Sequence, residues 1–143
     1  MLAAKKAALD SFERQIALTL TDPQPYYYRA VTELYPTIYA AGLTTRAERA
    51  LVELDRTLAT FPGYRRAQLL RGYVQLTLQH YSEALTDLRA VLSADPSNEV
   101  ARLLLGQTYL TRGENAAACE EFGRLQNVDP KELKKLLKRA CGS

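Results

Sequence analysis

The chain is poor in the side chains that catalysis and metal binding draw on most. His80 is its single histidine, and it has only two cysteines, Cys119 and Cys141. With no second histidine and no cysteine at ligand spacing, a metal site is not expected, and His80 reads as a surface turn residue. Two cysteines make no disulfide framework. Cys119 falls on an apolar helix face, where a free thiol behaves as a small hydrophobe, and this points to a reducing compartment. No apolar run approaches the ~20 residues of a membrane span. Met1–Leu9 has no basic cluster ahead of an apolar core, and Asp10 and Glu13 follow at once, so no signal peptide is expected and the location reads as cytoplasmic. Glycine-rich phosphate loops and nucleophile motifs are missing, and the neighbours Glu120 and Glu121 point to different sides of a helix as solvated surface. No enzymatic activity and no cofactor are expected.

What the chain does have is a globular composition, with 47% hydrophobic and 24% charged residues. Its 143 residues fit one domain that buries roughly 68–70% of its unfolded surface. The net charge of +3 is too small to imply nucleic acid as a partner, but its location is uneven. Lys131, Lys134, Lys135, Lys138 and Arg139 face only Glu132 in the last stretch, so the rest of the chain is nearly neutral.

A repeat organises the middle of the chain. Pro62, Pro96 and Pro130 are spaced by 34 residues, and Ala67/Ala101, Gly72/Gly106, Ala84/Ala118, Leu88/Phe122 and Asp95/Asp129 keep the same interval. A fixed period of this size marks a solenoid, in which each unit buries its apolar face against its neighbours. The glycines leave room for a paired helix, the alanines sit at that crossing, and the prolines stop the second helix of each unit. No strand signals interrupt the pattern.

In order, residues 2–20 read as an amphipathic helix, with Leu2, Leu9, Phe12, Ile16 and Leu20 on one side. Its Ala8, Phe12 and Ile16 match Ala50, Leu54 and Leu58, so it resembles the second half of a repeat and serves as an N-terminal cap. After Asp22-Pro23-Gln24-Pro25, a helix is expected over Tyr26–Ala41, kinked at Pro36 and closed by Gly42. It holds five of the chain's nine tyrosines. Thr45 and Glu48 read as a capping box opening the next helix, to about Thr60. Arg65–Gln79 with Ser82–Ala94, and Glu99–Arg112 with Asn115–Val128, form two regular hairpins. Gly113 closes one helix, and Asp129 caps a last helix with Pro130 at its first position and Glu132 reaching back.

These residues resemble the tetratricopeptide repeat (TPR) family. That family's small eighth residue, alanine at the twentieth, bulky residue at the twenty-fourth and proline at the thirty-second correspond to Gly72, Ala84, Leu88 and Pro96. In the next unit they are Gly106, Ala118, Phe122 and Pro130. The first unit offers Ala50, Leu54 and Pro62, with Ile38 at the eighth place. The usual aromatic at the fourth position is Leu34, Gln68 and Arg102 here, and Arg71 and Gln75 occupy places the family buries. The resemblance implies an all-α, right-handed α-solenoid of about three helical hairpins with N- and C-terminal capping helices. It makes 1–143 a single domain: 2–20 the N-terminal cap, 26–62 an irregular repeat, 65–96 and 99–130 regular repeats, and 131–141 a solvating C-terminal helix.

The resemblance also implies a function: a non-enzymatic adaptor or chaperone that holds a hydrophobic peptide segment of another protein in a concave groove. The groove positions map to Tyr35, Tyr39, Arg66, Leu69, Tyr73, Leu76, Val100, Leu103, Gln107 and Leu110. One branch of the family clamps acidic chaperone tails with charged and amide side chains. The matching places here are Tyr35, Tyr39, Leu70, Val100 and Leu104, so that clamp is absent. The alternative is a self-associating scaffold that oligomerises through the groove or an exposed end helix. Nucleic acid and membrane are not the expected partners, the basic final helix being the one feature that leaves them a minor opening.

Overall fold

Small residues alternating with large apolar ones let helices approach closely, and the described residues form helices alone. The structure, a computed structural model, describes residues 2–18, 21–35 and 42–142. Among them are eight helices: α1 (Leu2–Leu18), α2 (Gln24–Leu34), α3 (Leu43–Thr60), α4 (Arg65–Thr77), α5 (Tyr81–Ala94), α6 (Glu99–Thr111), α7 (Asn115–Gly123) and α8 (Pro130–Cys141). None is long and apolar enough to cross a membrane. The fold is an all-α helical repeat, and the chain resolves into two compact units, Met1–Gln79 and His80–Ser143.

In the first unit, α1 packs on α2, α2 on α3 and α3 on α4. The core is built from Ala30, Ala47, Ala50, Leu54, Leu58, Ala67 and Val74, with Tyr27, Leu34, Leu51, Tyr64 and Leu70 packed around it. Four alanines among seven core residues keep the helix axes close, and leucine and valine fill what remains. α1 covers this layer by burying Ile16, with Ala8 and Phe12 half-buried.

Several ends differ from the sequence expectation. The helix expected over Tyr26–Ala41 stops at Leu34. Tyr35 is extended, with φ −65° and ψ 129°, because proline at the next position excludes the helical conformation. The helix therefore breaks ahead of Pro36, while Pro36, Ile38 and Tyr39 themselves lie outside the described residues. Gly42 is not a left-handed closure. It has φ −56° and opens α3 as its N-cap, which leaves Thr45 inside the helix rather than forming a capping box with Glu48. In the second unit, α7 ends at Gly123 instead of Val128. There the amide of Gln126 donates to the Glu99 carboxylate at 3.0 Å rather than to a helical carbonyl.

The second unit stacks α5 on α6, α6 on α7 and α7 on α8. Its centre is a close contact between Gly106 and Phe122, a fully buried ring. A Cβ added at Gly106 would overlap the ring edge, so the glycine of the repeat is a steric requirement. Asn98 caps α6 by accepting from the amide of Ala101 at 2.9 Å. Asp129 caps α8 by accepting from the amides of Lys131 and Glu132, as expected. Glu132 does not reach back to complete a box, because its carboxylate pairs with Lys135 at 2.6 Å. Gly113, with φ 81°, closes α6 in the left-handed conformation.

The cysteines overturn the free-thiol reading. Cys119 of α7 and Cys141 at the end of α8 are joined in a disulfide. Helical packing carries the apolar stripe of α8 onto α7 and so brings the thiols together, a proximity invisible in their spacing. The expectation of a reducing compartment rested on free thiols and loses its basis.

Two stability measurements follow. Overpacking in Gly106→Ala should cost ~1–3 kcal/mol, more than the up to ~1 kcal/mol that alanine gains in helix propensity. Its urea midpoint should therefore fall, while Gly123→Ala, with open space around its added methyl, should hold or rise. Opening the disulfide, which closes a loop of 22 residues, should lower stability by about 3 kcal/mol. Denaturation with and without a dithiol reductant, alongside a Cys119→Ser/Cys141→Ser variant, checks this.

Candidate functional site

The groove positions expected from the resemblance fall at helical spacing on α4 and α6. Arg66, Leu69, Tyr73 and Leu76 share one face of α4 in the first unit. Val100, Leu103, Gln107 and Leu110 share one face of α6 in the second. Arg66, Tyr73 and Val100 are exposed, and the others are half-buried. Tyr35 stands exposed at the end of α2. Tyr39 is outside the described residues.

Sequence reasoning passed over three further contributors to the first unit's face: Tyr27, Tyr28 and Tyr64. Phe12 stacks on Tyr28 with centroids 6.1 Å apart, Tyr28 meets Tyr27 edge-on at 5.5 Å, and Tyr27 meets Tyr64 edge-on at 5.9 Å. Edge-on geometry sets the positive ring edge against a negative ring face, which fixes these side chains relative to one another. The Arg66 guanidinium lies over Tyr27 at 4.8 Å and Tyr28 at 5.9 Å. It is held more strongly protonated than usual, chiefly by its hydrogen bond to Tyr28 and then by Tyr27 and Tyr64. The triple-tyrosine run Tyr26-Tyr27-Tyr28 was the available signal. Its middle and last members supply the platform, while Tyr26 turns inward against Phe61.

Ion pairs set the position of α2 and with it that platform. Arg29 of α2 pairs with Glu13 of α1 at 3.1 Å and with Glu53 of α3 at 2.9 Å. Arg56 of α3 also reaches Glu13, through two hydrogen bonds of 3.2 and 3.3 Å. Lys5 of α1 pairs with Glu33 of α2 at 3.1 Å, and both side chains are largely buried. The Arg56 hydrogen bond is the main reason the Glu13 carboxyl sits below its ordinary value, with the charges of Arg56 and Arg29 adding to it against some desolvation.

The two polar departures from the family pattern on α4 have different outcomes. Arg71 pairs with Asp55 of α3 at 2.9 Å. Gln75 is buried, and its carbonyl oxygen has no hydrogen-bond partner among the described residues. In the second unit Arg102, standing where the family has an aromatic, pairs with Glu121 of α7 at 2.9 Å and donates to the Pro96 carbonyl at 2.7 Å. Arg89 donates to the Tyr109 hydroxyl at 2.6 Å. Lys131, Lys134, Lys135, Lys138 and Arg139 are all exposed on α8, opposite the half-buried Leu133, Leu136 and Leu137. Among the described residues, no group of three or more His, Cys, Asp or Glu is placed to hold a metal ion.

A helical repeat with a 34-residue interval and paired tyrosine-bearing first helices defines a class, and the sequence comparisons agree. Two profiles of the tetratricopeptide repeat match the chain, one over residues 39–99 and one over residues 75–140. The chain belongs to the tetratricopeptide repeat family. It is 34% identical over 75 residues to Superkiller complex protein 3 of Homo sapiens and of Mus musculus, a stretch that is 52% of this chain and 5% of those relatives' length. Its fold is similar to MamA from Desulfovibrio magneticus RS-1, with TM-score 0.75 and 23% identity over 96% of this chain and 80% of that one. A double mutant of MamA RS-1 matches with TM-score 0.73 and 20% identity, covering 98% and 85% of the two chains.

The depressed Glu13 carboxyl carries a pH signature. Stability from a lowered carboxyl is present above the ordinary value of 4.5 and is lost as pH falls through the folded-state value. Because Glu13 is half exposed, Glu13→Gln should cost under ~1 kcal/mol near neutrality. The difference from wild type should shrink as the pH falls below 4.5 and vanish below the lowered folded-state value, measured by thermal melts across pH 3–7.

Proposed function

We propose that this chain is a non-enzymatic protein-interaction module, an adaptor or chaperone that takes a hydrophobic segment of a partner protein along the exposed faces of its first helices. The observation that carries this reading is the exposure of three large aromatic side chains in the first unit. Tyr28, Tyr35 and Tyr73 keep 39%, 63% and 44% of their surface open to solvent. Aromatic side chains supply large contact areas with few rotors to freeze, which suits recognition by a preorganised surface. Repeats of this family are in general non-catalytic interaction scaffolds, which supports the same assignment. The α6 face, with Val100 exposed and Leu103 and Leu110 half-buried, offers a second stretch of the same character. Burial of partner side chains on Tyr73 and Leu76 would supply most of the affinity, with Tyr35 and Tyr39 extending the contact.

A self-associating scaffold is the second reading, and α1 favours it. Leu2 and Leu18 of α1 are 58% and 83% exposed, apolar surface that a second copy would bury. Light scattering over a concentration series separates the two: a monomer up to ~100 µM removes the scaffold. For the adaptor, Tyr73→Ala should weaken binding of a partner captured from the native host by ~1–3 kcal/mol while leaving the melting temperature close to wild type. A variant that binds as well as wild type would refute the assignment of this face.

A further inference from the structure

The arginines of the first unit are not equivalent. Arg29, Arg56 and Arg71 each pair with a carboxylate of a neighbouring helix. Arg66, at the start of α4, has no carboxylate partner among the described residues. Its guanidinium is instead laid on the faces of Tyr27 and Tyr28. No acidic residue stands in the first turn of α4 to compete for it. Its neighbour Arg65 is engaged by Gln68 at 2.6 Å.

A cation placed this way is fixed but unneutralised. Stacking on two rings restricts a side chain that otherwise has many rotamers, so less freedom is lost when a partner binds. The guanidinium edge keeps donors in a fork that matches a carboxylate. The surroundings do not favour a polyanion site: beside Arg65, which Gln68 engages, Arg66 stands among tyrosines and leucines, whereas the clustered cations lie on α8.

We infer that Arg66 docks a single acidic side chain of the partner, within a segment that is otherwise apolar. This inference rests on the proposed use of the α2 and α4 faces and specifies the chemistry of what binds there. It differs from the chaperone-tail clamp, whose positions here are uncharged. The geometry also sets a spacing. Leu69 and Tyr73 follow Arg66 on the same face of α4 by about 4.5 and 10.5 Å along the axis, at 1.5 Å per residue. An extended partner advances about 3.3 Å per residue, so its acid and its main apolar anchor stand about three residues apart.

Selection from a phage library of random peptides of about twelve residues tests this, using the full chain as bait. Parallel baits carry Arg66→Ala, Arg66→Lys, or Lys134→Gln/Lys135→Gln/Lys138→Gln together, each checked for folding by circular dichroism and thermal melting. The wild-type pool should be enriched in Asp or Glu placed about three residues from an aromatic or leucine. A synthetic peptide from that pool should bind Arg66→Ala about tenfold more weakly, a loss of ~1.4 kcal/mol, and Arg66→Lys by an intermediate factor. The triple lysine variant should bind it unchanged. Replacing the peptide's acid by its amide should weaken wild-type binding similarly and leave Arg66→Ala binding unaffected, as a double-mutant cycle requires of a direct pair. Pools without acidic enrichment whose peptides still lose affinity with Tyr73→Ala would overturn this inference and leave the interaction face standing. Acidic peptides lost with the triple lysine variant but not with Arg66→Ala would also overturn it. A library that yields no binder on any bait would sink both.

Discussion

A missing methyl group governs the second unit. Phe122 occupies the space that a side chain at position 106 would fill, so α6 and α7 approach closely at this point. Everything the 34-residue interval encodes follows from that closeness: a small residue on one helix, a bulky one on its partner, and a proline to end the unit. Dispersion and apolar burial both depend steeply on contact distance, which is why one glycine can set the packing of a whole hairpin. The first unit builds its core with a different device. Ala30, Ala47, Ala50 and Ala67 form its small-residue seam, and Leu54 is its fully buried counterpart.

The two units differ in what is added to this packing. The first carries a chain of ion pairs, Lys5–Glu33, Glu13–Arg29–Glu53 and Glu13–Arg56, running across α1, α2 and α3. Such pairs contribute modestly where exposed but are directional, and they fix the rotation of α2 about its axis more than its stability. That rotation decides which tyrosines of the run Tyr26-Tyr27-Tyr28 turn in and which turn out. In the second unit the fixing is covalent. The disulfide holds the end of α8 against α7, leaving its basic stripe facing water and its leucines facing the protein. Two of the polar departures from the family pattern, Arg71 and Arg102, each meet a carboxylate of an adjacent helix.

Much of the fold was legible because its determinants are local or periodic. Helices α4, α5 and α6 begin and end within one or two residues of where apolar spacing and turn residues put them, and Asp129 caps α8 as its sequence requires. The misjudged ends share one cause. At Tyr35, Gly42 and Gly123 the chain is decided by a neighbour: a following proline, the next helix's start, or Glu99 reaching over to the amide of Gln126. Of the proposed interaction face, the helical phase of Arg66, Leu69, Tyr73 and Leu76 was readable. The platform of Tyr27, Tyr28 and Tyr64 was not, because the rings come from two helices far apart in the chain.

What the sequence determined by itself was the class of object. A 34-residue interval of small, bulky and proline positions has few solutions other than stacked helical hairpins, since each unit must bury its apolar stripe against the next. What only the tertiary structure decided was pairing. Which arginine meets a carboxylate and which meets tyrosine, and whether Cys119 finds Cys141, depend on contacts between residues distant in the chain. Helix rotation and approach set those contacts to within an ångström, and no periodicity along the chain records them.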